Sequence, residues 1–240
     1  MNPEGAQQNF QDWKFPDSPE SESRPEKLFR AITIKPEELT VERLRQPLVP
    51  GTVSKDDPSK IGDGNELGVY MSTNPDMVET AYAKGGQGVD SVPVPPFSGQ
   101  DGYANRIPLP SCGVFLEIDT NGLEIRKPQI SPVLRGVYNN GFEGQEWIAD
   151  KISADHFRVK KIMLSRWAND SETFVVDIEN SSDEKMQEAI DIIKMEFSKR
   201  RAAAEEFKGF LEALSDTQRK NRYVVKQEWE KWQAKNESRA

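Results

Sequence analysis

The chain has few of the residues that build common catalytic and metal sites, with one cysteine, Cys112, and one histidine, His156, among 240 residues. A single cysteine excludes an intramolecular disulfide framework and a cysteine-rich zinc site. A single histidine excludes multi-histidine metal sites and leaves His156 as the only candidate for a serine–histidine or cysteine–histidine pair. His156 closes a predicted turn and Cys112 sits at a strand entry, so we expect structural roles for both.

Long apolar runs are also missing. No stretch approaches the ~18 apolar residues of a membrane span, and Met1 to Phe15 is polar without an apolar signal-peptide core. The formal net charge of −8 gives no broad basic footprint for nucleic acid or anionic membrane. We therefore expect a soluble cytoplasmic protein that does not bind membranes, while delivery elsewhere as an effector stays open.

The residues that are present divide the chain into three segments. Residues 1–26 are rich in Pro, Ser and Glu, which predicts a flexible arm. Residues 27–180 alternate short strands with a few helices, which predicts an α+β domain. Residues 181–240 are charged and predict a helical extension, begun by a capping box of Ser181 and Glu184. This extension would pack on the domain or on a partner, including a second copy of the chain. Its apolar residues at near-heptad spacing are Met186, Ile190, Ile193, Phe197, Ala204, Phe207, Leu211 and Leu214.

Strands and helices of the middle segment are predicted from residue type and from the Gly, Pro and Asn residues that begin or end them. Gly and Pro at 85–110 predict a long loop, and Asn121-Gly122 predicts a turn into Leu123–Ile125. Helices are expected from Pro36 to Arg45 and, after Asn74-Pro75, to about Ala83. Runs of β-branched and aromatic residues predict strands at Leu28–Ile34, Leu67–Ser72, Gly113–Asp119, Glu146–Ala149, Phe157–Trp167 and Glu172–Ile178.

One candidate site segment joins a strand to a helix. Tyr70 and Ser72 are two apart on the strand and so share a face, and Thr73 follows at once. The helix that begins after Asn74 offers free N–H groups, which favour an anion. Taken alone, this segment is equally typical of an ordinary strand–helix corner with a capping asparagine.

Two charged residues complete the candidate site. Glu146 opens an apolar strand after a Gly-rich stretch, where a carboxylate suits acid–base catalysis or the binding of a ribose hydroxyl. Arg30 alternates within an apolar strand and shares a face with Leu28 and Ile32, so its guanidinium needs a partner or an anionic ligand. A solvated carboxylate and a structural ion pair are the ordinary alternatives.

In this order the three segments resemble the ADP-ribosyltransferases of the Arg–Ser–Glu class, over about residues 27–178. The Arg30 strand, Ser72-Thr73-Asn74 with the later Ala81-Tyr82-Ala83, and Glu146 carry the resemblance. Gly68 to Ser72 is similar to the Gly-Ile-Tyr-Phe strand of poly(ADP-ribose) polymerases, and Gln145 to Ile148 to their Asn-Glu-Tyr-Ile segment. Val114 to Asp119 is similar to the central strand between those motifs.

The sequence departs from the family pattern at a few positions. These positions bear on which acceptor receives ADP-ribose and on which class of the family the chain resembles. Asn74 stands where the family has the last Ser of Ser-Thr-Ser. Gly144 stands where many protein-modifying members have Glu or Gln, with Glu143 and Gln145 on either side. Arg30 stands where the polymerases have His, which favours the Arg–Ser–Glu class.

The resemblance implies a small mixed or antiparallel split β-sheet that binds NAD as a co-substrate. It implies cleavage of the nicotinamide–ribose bond and transfer of ADP-ribose to an acceptor. Glu146 would stabilise the oxocarbenium-like transition state, and Arg30 would pair with the pyrophosphate. Ser72 would hold Arg30 or the ribose, and Tyr70 would stack on nicotinamide. Thr73 and Tyr82 would complete the NAD site.

The acceptor would meet the loop before Glu146, where the candidate recognition residues are Tyr138, Phe142, Glu143 and Gln145. We expect a protein acceptor, with nucleic acid or a small molecule as alternatives. Two rival functions remain. One is an NAD-dependent RNA 2′-phosphotransferase, which the acidic balance disfavours, and the other is a non-catalytic interaction module. The family contains toxins, effectors and housekeeping enzymes, among which the sequence does not choose.

Overall fold

The computed structural model describes residues 23–50, 68–83, 90–95, 106–127, 145–165 and 173–237. This part of the chain confirms the α+β class, with a six-stranded antiparallel sheet, a two-stranded ribbon and helices. None of the helices described combines the length and apolarity that a membrane crossing needs.

The six-stranded sheet has the order β6-β2-β1-β5-β7-β8, and every neighbouring pair in it is antiparallel. The longest contacts lie at its centre, where β1 pairs with β5 and β5 pairs with β7 along most of their lengths. β1 and β2, by contrast, pair at the single position Phe29–Ser72. The six strands are β1 (Lys27–Ile34), β2 (Val69–Ser72), β5 (Ser111–Asp119), β6 (Glu146–Ala149), β7 (Phe157–Ser165) and β8 (Phe174–Asp177).

The two faces of the sheet are covered by different helices. Strand alternation sends Leu28, Leu116 and Ile162 into the main core, where they meet the long helix α3 (Asp183–Ala213). The opposite face carries a smaller cluster that includes Phe29 and Phe115. This second face is the one on which the candidate site lies.

The helices near the start of the chain are more broken than expected. Pro36–Glu38 forms a 3₁₀ turn, and α1 spans only Val41–Leu44. Thr40 separates them, because its extended backbone lets its side chain accept a hydrogen bond from the N–H of Arg43 and cap α1. The single helix predicted from Pro36 to Arg45 is therefore wrong in its first half.

The helix after β2 begins where Asn74-Pro75 predicts it. α2 spans Pro75–Met77 and continues as a π-helix over Val78–Ala83. The Asn74 side chain accepts a hydrogen bond of 3.1 Å from the N–H of Met77, which confirms the predicted cap.

The segment 85–110, predicted to be a long loop, contains two strands that its Gly- and Pro-rich composition did not predict. β3 (Asp90–Pro93) and β4 (Arg106–Leu109) pair as an antiparallel ribbon. Val92 and Leu109 are buried in the main core, so tertiary burial outweighs the Pro-rich composition that argued against strands. The turn predicted at Asn121-Gly122 is present, and beyond it a single bridge joins Arg126 to Ile148.

The C-terminal segment is helical as predicted, with α3 followed by α4 (Asp216–Arg219) and α5 (Arg222–Glu237). The cap of α3 is Ser182, one residue after the expected Ser181, and its hydroxyl accepts from the N–H of Lys185. The capping box that the structure contains is instead Ser215 with Gln218, before α4. The apolar side of α3 packs on the sheet and on α5, burying Met186, Ile190, Ile193, Phe197, Ala204 and Leu211.

Candidate active site

Ser72 and Glu146, far apart in sequence, lie directly opposite each other on neighbouring strands. Ser72 ends β2, Glu146 opens β6, and the two are register partners in the antiparallel pair. Directly opposed residues of antiparallel strands point to the same face with Cβ atoms about 4.5–5.5 Å apart. The hydroxyl and the carboxylate therefore share one small area at the edge of the sheet.

The local turn after β2 fixes the Ser72 hydroxyl. Ser72 is buried, and its Oγ accepts a hydrogen bond of 3.1 Å from the N–H of Asn74. No acceptor for its O–H lies among the described residues. The hydroxyl proton is thus available to the opposing carboxylate or to a ligand hydroxyl.

Glu146 is a half-buried carboxylate with no described ion-pair or hydrogen-bond partner for its side chain. Burial raises the pKa of Glu146 above its ordinary value, because desolvation disfavours the charged form. A carboxylate in this state gains more from a nearby positive charge than a solvated one does. Such groups concentrate at functional sites.

The same burial predicts a measurable effect on stability. Because the pKa of Glu146 is higher in the folded state, ionisation costs the wild type stability as the pH rises through that value. Glu146→Gln should therefore raise the free energy of unfolding at about pH 8 and leave it nearly unchanged at about pH 4, where the wild-type carboxyl is largely protonated. Denaturant unfolding at both pH values measures this. An equal change at the two pH values would contradict it.

Arg30 lies beside this pair but starts from the other face of the sheet. Its register partner is Leu116, in the main core, whereas its neighbour Phe29 pairs with Ser72. The guanidinium nevertheless reaches β2, where Nη1 donates a 2.5 Å hydrogen bond to the backbone carbonyl of Tyr70. Nε is buried without an acceptor among the described residues, and burial lowers the pKa of Arg30. Arg30, Ser72 and Glu146 thus converge along β2, but do not line one face.

Phe29 also lies at the candidate site, although the sequence alone did not single it out. It is the cross-strand partner of Ser72 on one side and of Glu117 on the other, so it lies on the face of the candidate pair. Its ring is half-buried and stacks on Phe115, with centroids 5.7 Å apart and planes within 13°. The alternation of side chains along β1 could have assigned Phe29 to this face, but only if the register between β1 and β2 had been known.

The other predicted site residues lie around the same corner. Tyr70 is half-buried on the face of Ser72, and its register partner is Ile148. The N–H of Thr73 donates a 2.9 Å hydrogen bond to the carbonyl of Gln145, which ties the ends of β2 and β6 together. Gln145 Oε1 is buried and has no donor among the described residues.

The remaining predictions rest on parts that the structure does not describe. The backbone of Tyr82 belongs to the π-helix, but its side chain is outside the description. Tyr138, Phe142 and Glu143 lie outside the described residues, so their roles stay predictions.

Cys112 and His156 lie away from this corner. Cys112 is buried in the main core, and burial, with a smaller contribution from Glu37, raises the pKa of its thiol to about 12. A thiol with that pKa is not a nucleophile at neutral pH. His156 ends a 3₁₀ turn before β7, as expected for a turn residue.

Comparison with family models, with curated proteins and with solved structures finds no match for this chain.

Proposed function

We propose that the chain is an NAD-dependent mono-ADP-ribosyltransferase that cleaves the nicotinamide–ribose bond and transfers ADP-ribose to a protein acceptor. The observation that carries the proposal is the opposition of Ser72 and Glu146 across β2 and β6. Two motif residues of the Arg–Ser–Glu pattern, separated by about half of the domain, meet at one position of one sheet face.

The reaction breaks the bond between the ribose C1′ and the nicotinamide nitrogen, and nicotinamide leaves with the bonding electrons. Positive charge develops on the ribose, and the acceptor then bonds to C1′ and loses its proton. A shielded, unpaired carboxylate is suited to that charge, because a fixed charge in a low-dielectric site needs little reorganisation. The Ser72 O–H would orient the carboxylate or bind a ribose hydroxyl.

The structure favours a supporting role for Arg30 over the expected pairing with the pyrophosphate. Its hydrogen bond to the Tyr70 carbonyl spans the gap between β1 and β2, whose ladder is a single residue pair. A charged hydrogen bond at that position would hold β2, and with it Ser72, at a fixed distance from β1. Nε is buried and has no acceptor among the described residues.

Phe29 and Gln145 would complete the site. The half-buried ring of Phe29, next to Ser72, offers a flat apolar surface for nicotinamide, a role assigned to Tyr70 from the sequence. Gln145 Oε1, buried and unpartnered, would accept a hydrogen bond from the acceptor or from the nicotinamide amide.

A labelled-NAD assay tests the proposal. The protein is incubated with NAD labelled in the ADP-ribose part, together with a protein extract, RNA bearing a 2′-phosphate, or small nucleophiles. We expect nicotinamide release and label on protein. Transfer to the RNA phosphate would favour the phosphotransferase instead, and no release with any acceptor would leave the interaction module as the better description.

A further inference from the structure

We propose that a polar cavity on the same sheet face binds the adenosine phosphate half of NAD. This inference rests on the proposed function for the position of the nicotinamide half. The cavity, of about 660 Å³, lies where β1 begins, β5 ends and β7 begins. The Arg24 side chain borders it and donates hydrogen bonds to the carbonyls of Thr120 and Leu123.

The cavity continues the row of residues that contains the candidate active site. Across the sheet, Glu146 faces Ser72, Ser72 faces Phe29, Phe29 faces Glu117, and Glu117 faces Arg158. Glu117 and Arg158 line the cavity. These residues therefore form one row along a single face of the sheet, from Glu146 to Arg158.

The length of this row fits a dinucleotide. Arg158 is three strands from Ser72, which at about 4.8 Å per strand is about 14 Å. A dinucleotide whose nicotinamide ribose lies at Ser72 and Glu146 would direct its diphosphate toward β5 and its adenosine into the cavity.

The lining mixes donors and acceptors, as a nucleoside phosphate requires. Arg158 and the ring of His156 have no hydrogen-bond or ion-pair partners among the described residues, so both are available to a phosphate or a base. Lys27 forms a 3.3 Å ion pair with Glu117 and is itself largely exposed. Carboxylates such as Asp155 are suited to ribose hydroxyls.

A metal site is a poorer account of the same cavity. Its carboxylates are interleaved with Arg24, Lys27 and Arg158 rather than gathered. Within the described ranges, no three His, Cys, Asp or Glu side chains are arranged to hold a metal ion. Asp119 already accepts a 2.9 Å hydrogen bond from the N–H of Asn121.

Calorimetric titration with AMP tests the inference without relying on turnover. Wild type should bind AMP. Arg158→Glu should weaken AMP binding roughly tenfold or more, because it replaces a positively charged hydrogen-bond donor by a carboxylate that repels the phosphate. Arg106→Glu, an exposed strand arginine outside the cavity lining, is the matched control and should bind as wild type does. His156→Ala gives a second variant that weakens binding.

Two outcomes overturn the inference: no AMP binding by wild type, or equal binding by wild type and both cavity variants. The proposed reaction is tested separately by NAD cleavage, for which Arg158→Glu should raise KM and leave kcat nearly unchanged. AMP binding lost in Arg158→Glu without NAD cleavage by wild type would support the nucleotide site and reject the transferase.

Discussion

Glu146→Gln is expected to lower kcat for NAD cleavage by about 10²–10³-fold, the usual loss when one electrostatic contact to a developing charge is removed. Glutamine keeps the size and polarity of the side chain but cannot oppose the positive charge on the ribose. KM for NAD should change little, since the carboxylate acts chiefly in the transition state. Nicotinamide release, followed by chromatography, gives both constants.

The matched control is Glu124→Gln, an exposed glutamate beyond the end of β5. It removes the same charge without touching the site and should retain wild-type turnover. A Glu146→Gln variant that is folded and equally active would remove the catalytic carboxylate from the proposal, whatever the control shows.

The second large effect is on stability, at Gly113 in β5. A Cβ added there would lie 1.8 Å from the carbonyl oxygen of Ala83, at the end of the π-helix. Because the obstacle is backbone, no side-chain rotation relieves it. Gly113→Ala should therefore cost about 3 kcal/mol or more of unfolding free energy, at the upper end of overpacking effects. Thermal or denaturant unfolding measures the loss.

Gly209 provides the opposite expectation within the same chain. It lies exposed inside α3, and a Cβ there would meet nothing within 4 Å. Gly209→Ala should stabilise by about 0.5–1 kcal/mol, because alanine is the better helix former. If Gly113→Ala were as harmless as Gly209→Ala, the helix after β2 would not pack on β5 as described.

The close approach at Gly113 also bears on the site. The absence of a side chain at Gly113 lets the helix after β2 pack closely on β5. Asn74 caps this helix, and its N–H donates a hydrogen bond to the Ser72 hydroxyl. Loss of that packing should therefore disturb the end of β2.

Much of the fold follows from local chemistry. Alternation and β-branched residues predicted the long strands, and Asn74-Pro75 predicted the start of the helix after β2. The β3–β4 ribbon did not follow, because Val92 and Leu109 gain their strand geometry from burial in the main core. Their proline neighbours disfavour strands, so composition alone predicts a loop.

The site was only partly predictable, for a different reason. Motif order led to Ser72 and Glu146, and each strand's alternation gave the relative faces within that strand. Which face of β1 joins which face of β2 depends on the pairing of Phe29 with Ser72, which is a long-range contact. That register moved Arg30 to the opposite face and brought Phe29 next to Ser72.

A crystal structure of the Glu146→Gln variant soaked with NAD would show whether NAD binds where β2 and β6 bring Ser72 and residue 146 together. We expect the nicotinamide ribose between Ser72 and residue 146, with the nicotinamide ring over Phe29. NAD bound on the α3 side of the sheet, or no NAD at a saturating concentration, would contradict it.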